Sequence, residues 1–131
     1  VWLCFGLLLV QMTPLSMVRA ASKKDIVISE ITGSNLNYYD GVESTELFSN
    51  PDWIALVGYG KKKTMKLGKN AAYYILTQSG KRKKVSKKRF QKQCFESVRC
   101  RERGVVYYTG LPCRMVIKNG KCVKLVEYYH V

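Results

Sequence analysis

This chain carries a series of short apolar or aromatic runs of strand length, bounded by turn residues. Asp25-Ile-Val-Ile-Ser-Glu-Ile reads as a half-buried strand. Leu36, Tyr38 and Val42 flank Asp40-Gly41 and predict a hairpin turning at that pair. Residues 53–59 (Trp-Ile-Ala-Leu-Val-Gly-Tyr) form a strong strand signal, followed by a short one at 65–67 and another at 72–77. Residues 105–109, 114–118 and 121–129 extend the series, and Asn119-Gly120 is the clearest hairpin turn in the chain. Residues 43–50 read as loop rather than as one helical turn stopped by Pro51. Residues 81–100 fit two patterns. Phe90, Cys94 and Val98 fall at helical spacing behind Ser86, a potential N-cap, but the flanking strands favour strand and loop.

Gly41, Gly80 and Gly120 close three of these apolar runs at steps of 39 and 40 residues. Such a period marks one supersecondary unit used repeatedly. Three units are too few for a propeller, so the spacing predicts three hairpins around a pseudo-threefold axis. Eight of the nine tyrosines come as doublets: Tyr38-Tyr39, Tyr73-Tyr74, Tyr107-Tyr108 and Tyr128-Tyr129. Strand neighbours point to opposite faces, so each doublet sends one ring to the core and one to the surface.

Residues 1–20 stand apart. Their first half is nearly continuous apolar sequence, broken by Gln11 and Pro14, and Val18-Arg-Ala20 offers small residues to a signal peptidase. This predicts a secretory signal peptide cut after Ala20, a secreted chain and no stable membrane insertion. Residues 21–131 then form one domain. Cys94, Cys100, Cys113 and Cys122 are four disulfide candidates with three pairings open. A two-residue turn at Asn119-Gly120 sets Lys118 against Lys121, Cys122 against Ile117 and Cys113 against Val126, which disfavours a direct Cys113–Cys122 bond.

The formal charge is +14, and it is segregated. Residues 25–60 hold six acids and no base, whereas residues 61–103 hold sixteen bases against Glu96 and Glu102. A segment of that kind faces water and attracts polyanions. Arg82, Lys83, Lys84, Lys87, Lys88 and Arg89 cluster in a basic-basic-basic-x-x-basic pattern suited to the closely spaced sulfates of a glycosaminoglycan. Lys87-Lys88-Arg89 also reads as a convertase site. The residues suggest no catalytic set: His130 stands alone at the end, and no nucleophile–base–orienter group appears. No cofactor or metal is expected, since the chain has no C-x-x-C pair and its acids lack EF-hand spacing. Outside the cell nucleic acid is not the expected polyanion.

Several stretches resemble the fibroblast growth factor family. Thr32-Gly33-x-x-Leu36 followed by Tyr38-Tyr39-Asp40-Gly41-x-Glu43 is similar to that family's first hairpin. Asn70-x-x-Tyr73-Tyr74-Ile75-Leu76 with Gly80-Lys81 resembles its central stretch, and Phe90, Cys94, Gly104 and Tyr108 keep the family's separations. Lys118-Asn119-Gly120-Lys121-Cys122 resembles its heparan sulfate loop. The resemblance spans residues 28–125. It implies an all-β, small β-trefoil of three hairpin repeats with room for one short helix. It also implies a non-enzymatic growth-factor-like ligand that binds heparan sulfate through Lys118, Asn119, Lys121 and Lys124, with a receptor tyrosine kinase as second partner. Where the family reads Cys-x-Phe-x-Glu, this chain has Phe95 directly after Cys94 and Val98 at the acid's position. The alternative is a Lys/Tyr-rich structural protein of the extracellular matrix that adsorbs to acidic polymers or mineral.

Overall fold

A computed structural model describes residues 21–128; the signal-peptide expectation, Tyr129 and His130 lie outside the described residues. Eight strands and two short helices follow in the order β1 (Ser22–Thr32), β2 (Asn35–Glu43), α1 (Ser44–Leu47), β3 (Leu56–Leu76), β4 (Arg82–Val85), α2 (Lys87–Gln93), β5 (Arg99–Glu102), β6 (Val105–Tyr108), β7 (Leu111–Lys118) and β8 (Lys121–Glu127). The protein is all-β, as these runs predict.

Five strands close on themselves. β1 pairs β2, β2 pairs β3, β3 pairs β8, β8 pairs β7, and β7 returns to β1. All these pairs are antiparallel except β3–β8, which is parallel, so the sheet is mixed. Closure leaves these strands without a free edge along their paired lengths. β4 is added to the C-terminal half of β3, and the β5–β6 hairpin touches β3 through the Gly58–Tyr108 pair. Inside the ring, Ile26, Ile28, Leu36, Tyr38, Ile75, Met115 and Leu125 pack with the helix-borne Phe90, which is 0% exposed. Burying such side chains contributes about 1.5–3 kcal/mol each.

The threefold hairpin arrangement is not confirmed by this connectivity, and the reason lies in the glycines. Gly41 is not a turn residue: it sits inside β2 opposite Gly58, where a Cβ would come within 2.9 Å of Leu56 Cδ2 and 3.0 Å of the Asp25 carbonyl oxygen. The β1–β2 turn falls earlier, at Gly33 with φ +59°, between the paired Thr32 and Asn35. Gly80 (φ +82°) closes the β3–β4 hairpin, where Gly80 N donates to Thr77 O and Leu76 pairs with Arg82, and Gly120 (φ +74°) closes β7–β8 as expected. Two of the three glycines thus turn hairpins, and Gly41 does not.

Other expectations need correction. Residues 43–50 contain one helical turn, α1, held by a reciprocal capping box between Glu43 and Glu46. The strands expected at 53–59, 65–67 and 72–77 are one long strand, β3, which starts only at Leu56. Residues 87–93 are helical rather than strand and loop: Ser86 Oγ accepts from Arg89 N at 3.1 Å, and Phe90 is the side chain the helix exists to bury. Of the three doublets within the described residues, only Tyr73-Tyr74 splits as expected. Tyr38 and Tyr39 are both buried, the latter because Tyr108 stacks on it at 4.1 Å.

The β7–β8 turn sets Lys118 opposite Lys121 and Cys122 opposite Ile117, but an irregularity between Val116 and Ile117 moves Cys113 opposite Glu127 instead of Val126. Cys94, Cys100, Cys113 and Cys122 are all free thiols, so the disulfide expectation is corrected. Cys113 and Cys122 are interior residues at staggered positions, and Cys100 lies on the β5–β6 hairpin outside the ring.

Candidate functional site

Residues in register share a face of a sheet. On the outside of the barrel one row runs Lys84, Tyr74, Val126, Arg114 and Asp25 across β4, β3, β8, β7 and β1. A neighbouring row runs Ala72, Lys124, Val116 and Lys23. The pleat thus brings cations from four strands together. Lys23, Arg82, Arg114 and Lys124 line a cleft of about 230 Å3 with Val116, Val126 and Tyr128.

Rings hold two of these cations in place. Lys124 Nζ lies 5.0 Å from the Tyr74 ring centroid, and Arg114 Cζ lies 4.8 Å from that of Tyr128. Such contacts contribute about 0.5–1 kcal/mol at exposed sites. Arg114 Nε also donates to Asp25 Oδ1 at 3.0 Å, and that hydrogen bond holds the Arg114 pKa above its usual value. Lys23, Arg82 and Lys124 make no ion pair among the described residues. The cleft therefore offers three uncommitted positive charges and one shared one. It can bind anions, and a guanidinium on either side favours planar or tetrahedral oxyanions that accept paired hydrogen bonds.

Apart from Asp25 on Arg114, the acids of the N-terminal segment do not neutralise this face. Asp40 instead bridges Lys24 Nζ at 2.6 Å and Lys63 Nζ at 2.7 Å. Burial pushes the Asp40 pKa up, but the hydrogen bonds and charges of the two lysines outweigh it and leave the value below normal.

Of the residues expected to bind glycan, Arg82 and Lys124 meet in the cleft, and Lys84 stands in the row beside it. Lys83 pairs with Ile75 and points from the other face of β4. Lys87 donates its ammonium to the Gly33 carbonyl, Lys88 is solvent-facing, and Arg89 Nη1 donates to Gln93 Oε1 at 2.9 Å. Lys118, Asn119 and Lys121 lie at the β7–β8 turn and do not line the cleft. Sequence reasoning missed Lys23 and Arg114. Each stands apart from the central lysine runs, and only pairing across β1 and β7 brings them in.

The convertase expectation at Lys87-Lys88-Arg89 meets a helix. Proteases bind extended chain, whereas these residues form the first turn of α2, directly before the fully buried Phe90. Cleavage there requires α2 to unwind and Phe90 to leave the core.

Two larger clefts lie elsewhere. One of about 650 Å3 holds Lys62 and Arg99 against Glu30 and Glu96, a balanced set with no net preference for anions. The other, about 460 Å3, is walled by Trp53, Leu56, Phe95, Tyr107 and Pro112 and is apolar. No family model, curated protein or solved structure matches the chain.

Proposed function

We propose that this chain is an exported binding module for a linear sulfated glycosaminoglycan. The observation that carries the reading is the convergence of Lys23, Arg82, Arg114 and Lys124, from four different strands, on one cleft with no surplus of carboxylates. Fold analogy supports a polymer as ligand. A three-strand meander, a plugging helix and a final hairpin whose last strand runs parallel to the third is the connectivity of barrels that hold oligosaccharides or oligonucleotides in surface grooves. Export selects the sulfated glycan over nucleic acid.

The test is elution from immobilised heparin against a sulfonate cation exchanger at matched ionic strength. Later elution from heparin is expected, with steep salt dependence. Elution no later than from the exchanger would reduce the face to unspecific charge. Equal competition by an oligonucleotide of the same charge would remove the glycan assignment.

Growth-factor activity, a trefoil and a receptor tyrosine kinase partner rest on the sequence resemblance alone. Saturable nanomolar binding to receptor ectodomains would support that second partner. Recovery only from insoluble matrix would support the structural alternative.

A further inference from the structure

A second cleft with a basic rim borders β3, β4 and the start of α2, its floor reaching the buried Leu67 and Tyr73. Between Leu67 and Ala72 the register of β3 against β8 shifts, so residues 68–71 leave the ladder. The gap beside them measures about 310 Å3 and is lined by Lys69, Lys84 and Lys87, with Ser34, Ala72 and Ser86. Lys87 is committed to the Gly33 carbonyl, but its charge remains; Lys69 and Lys84 make no ion pair among the described residues.

The two clefts meet at β4, and Tyr74 lies in the row between Lys84 of the second and Val126 of the first. Arg82 lines the first and Lys84 the second, and they are alternate residues on one face of β4, roughly 7 Å apart. Lys84 is opposite Tyr74 and Ala72 is opposite Lys124. Tyr74, with Lys124 over its ring, therefore stands as a low divide between two groups of cations. From β4 to β1 there are four interstrand steps, roughly 19 Å in all. A small anion fills one group; only a chain can occupy both.

We propose that Lys69, Lys84 and Lys87 form a second subsite for the same polyanion chain, which passes over Tyr74 from one cleft to the other. This rests on the glycosaminoglycan reading and deepens it: the ligand must be a polymer of minimum length, not a sulfated monosaccharide or free sulfate. Once a chain reaches both clefts, the second contact becomes intramolecular and adds affinity without any new site.

Calorimetric titration with size-fractionated heparin oligosaccharides, from disaccharide to decasaccharide, tests this. Wild-type affinity is expected to climb by roughly a hundredfold over a narrow range of lengths and then level off. In a Lys69→Ala/Lys84→Ala double variant the climb should vanish, while disaccharide affinity stays unchanged. Both side chains are solvent-exposed, so thermal melting should confirm an intact fold. If the double variant keeps the full climb, long chains gain merely by offering more registers to one cleft, and the second subsite is lost. A wild-type protein that binds every length equally would also overturn it, while leaving the glycan reading in place. Failure to bind any oligosaccharide would instead bring down that reading itself, and the subsite with it.

Discussion

Tyr73 and Tyr74 are neighbours on β3 and have opposite fates. Tyr73 enters the barrel, its ring 5.4 Å from that of the buried Phe90. Tyr74 stays outside beneath Lys124, in the row between Lys84 and Val126. The same division separates Leu125 from Lys124 and Met115 from Arg114. One face of these strands supplies stability and the other supplies charge, and a single-residue slip would exchange them. Stability and binding should therefore be separable by mutation, residue by residue.

The hardest test of that separation falls on the interior. Phe90→Ala should cost about 3–5 kcal/mol in chemical denaturation, because it empties the barrel's plug. A loss below about 1 kcal/mol would mean that α2 does not seal the core. On the other face, Arg82→Glu with Lys124→Glu should cost no more than about 1 kcal/mol of stability, the scale of the lost Lys124–Tyr74 contact. Heparin affinity should fall by at least about tenfold, or about 1.4 kcal/mol, at moderate salt. Parallel losses of stability and binding in this variant would erase the distinction between the faces.

The thiols sharpen the comparison further. Burial, with the nearby Glu127 charge, pushes the Cys94 thiol up to about 11, and burial does the same for Cys122. Burial also holds Cys113 well above the usual thiol value, with the neighbouring Cys94, Glu127 and Cys122 adding to it. Near pH 8 iodoacetamide should therefore modify Cys100 first, read by peptide mass spectrometry, and the other three only on unfolding. Because these folded-state values lie above the ordinary 9.0, their contribution is fully present below pH 9 and is lost as pH rises toward 11. The smallest effect belongs to Asp40. Its lowered pKa stabilises the fold above the ordinary 3.8, and that contribution fades as pH falls through the folded value. Asp40→Asn should flatten the acid limb of the melting curve slightly, and an unchanged limb would show the two lysine contacts to be energetically idle.

Much of the fold was legible because strand signals are local. The existence of β1, β7 and β8, and the Asn119-Gly120 turn with the Lys118 and Lys121 ends beside it, follow from a few adjacent residues. The register of β7 on β8 was wrong only beyond the irregularity at Val116, where a nonlocal adjustment intervenes. Asp40-Gly41 misled because it carries a turn signal, yet Gly41 is small for another reason: β1 and β3 crowd it from both sides. Seven residues dominated by lysine hid α2, although the Phe90, Cys94 and Val98 spacing and the Ser86 cap were both visible. Of the basic cleft, Arg82 was legible in a charge run and Lys124 through the family resemblance. Lys23 and Arg114 were not, because what joins them to Arg82 is strand order, and charge counting carries no information about that.

The Asp25–Arg114 ion pair spans 89 positions of the chain, and β1 finds its second partner only in β7. β3 likewise waits for β8, the last strand to be made. Ring closure is thus a late event, in which two distant loops must be ordered before either yields contact energy. While the chain emerges from its N-terminus, the β1–β2–β3 meander waits with both outer edges bare and with its six acids nearly balanced by seven lysines. A nascent chain in that state is open to pairing with its neighbours. The lysines that arrive next, by their mutual repulsion, keep such half-built molecules apart until the final hairpin seals the ring.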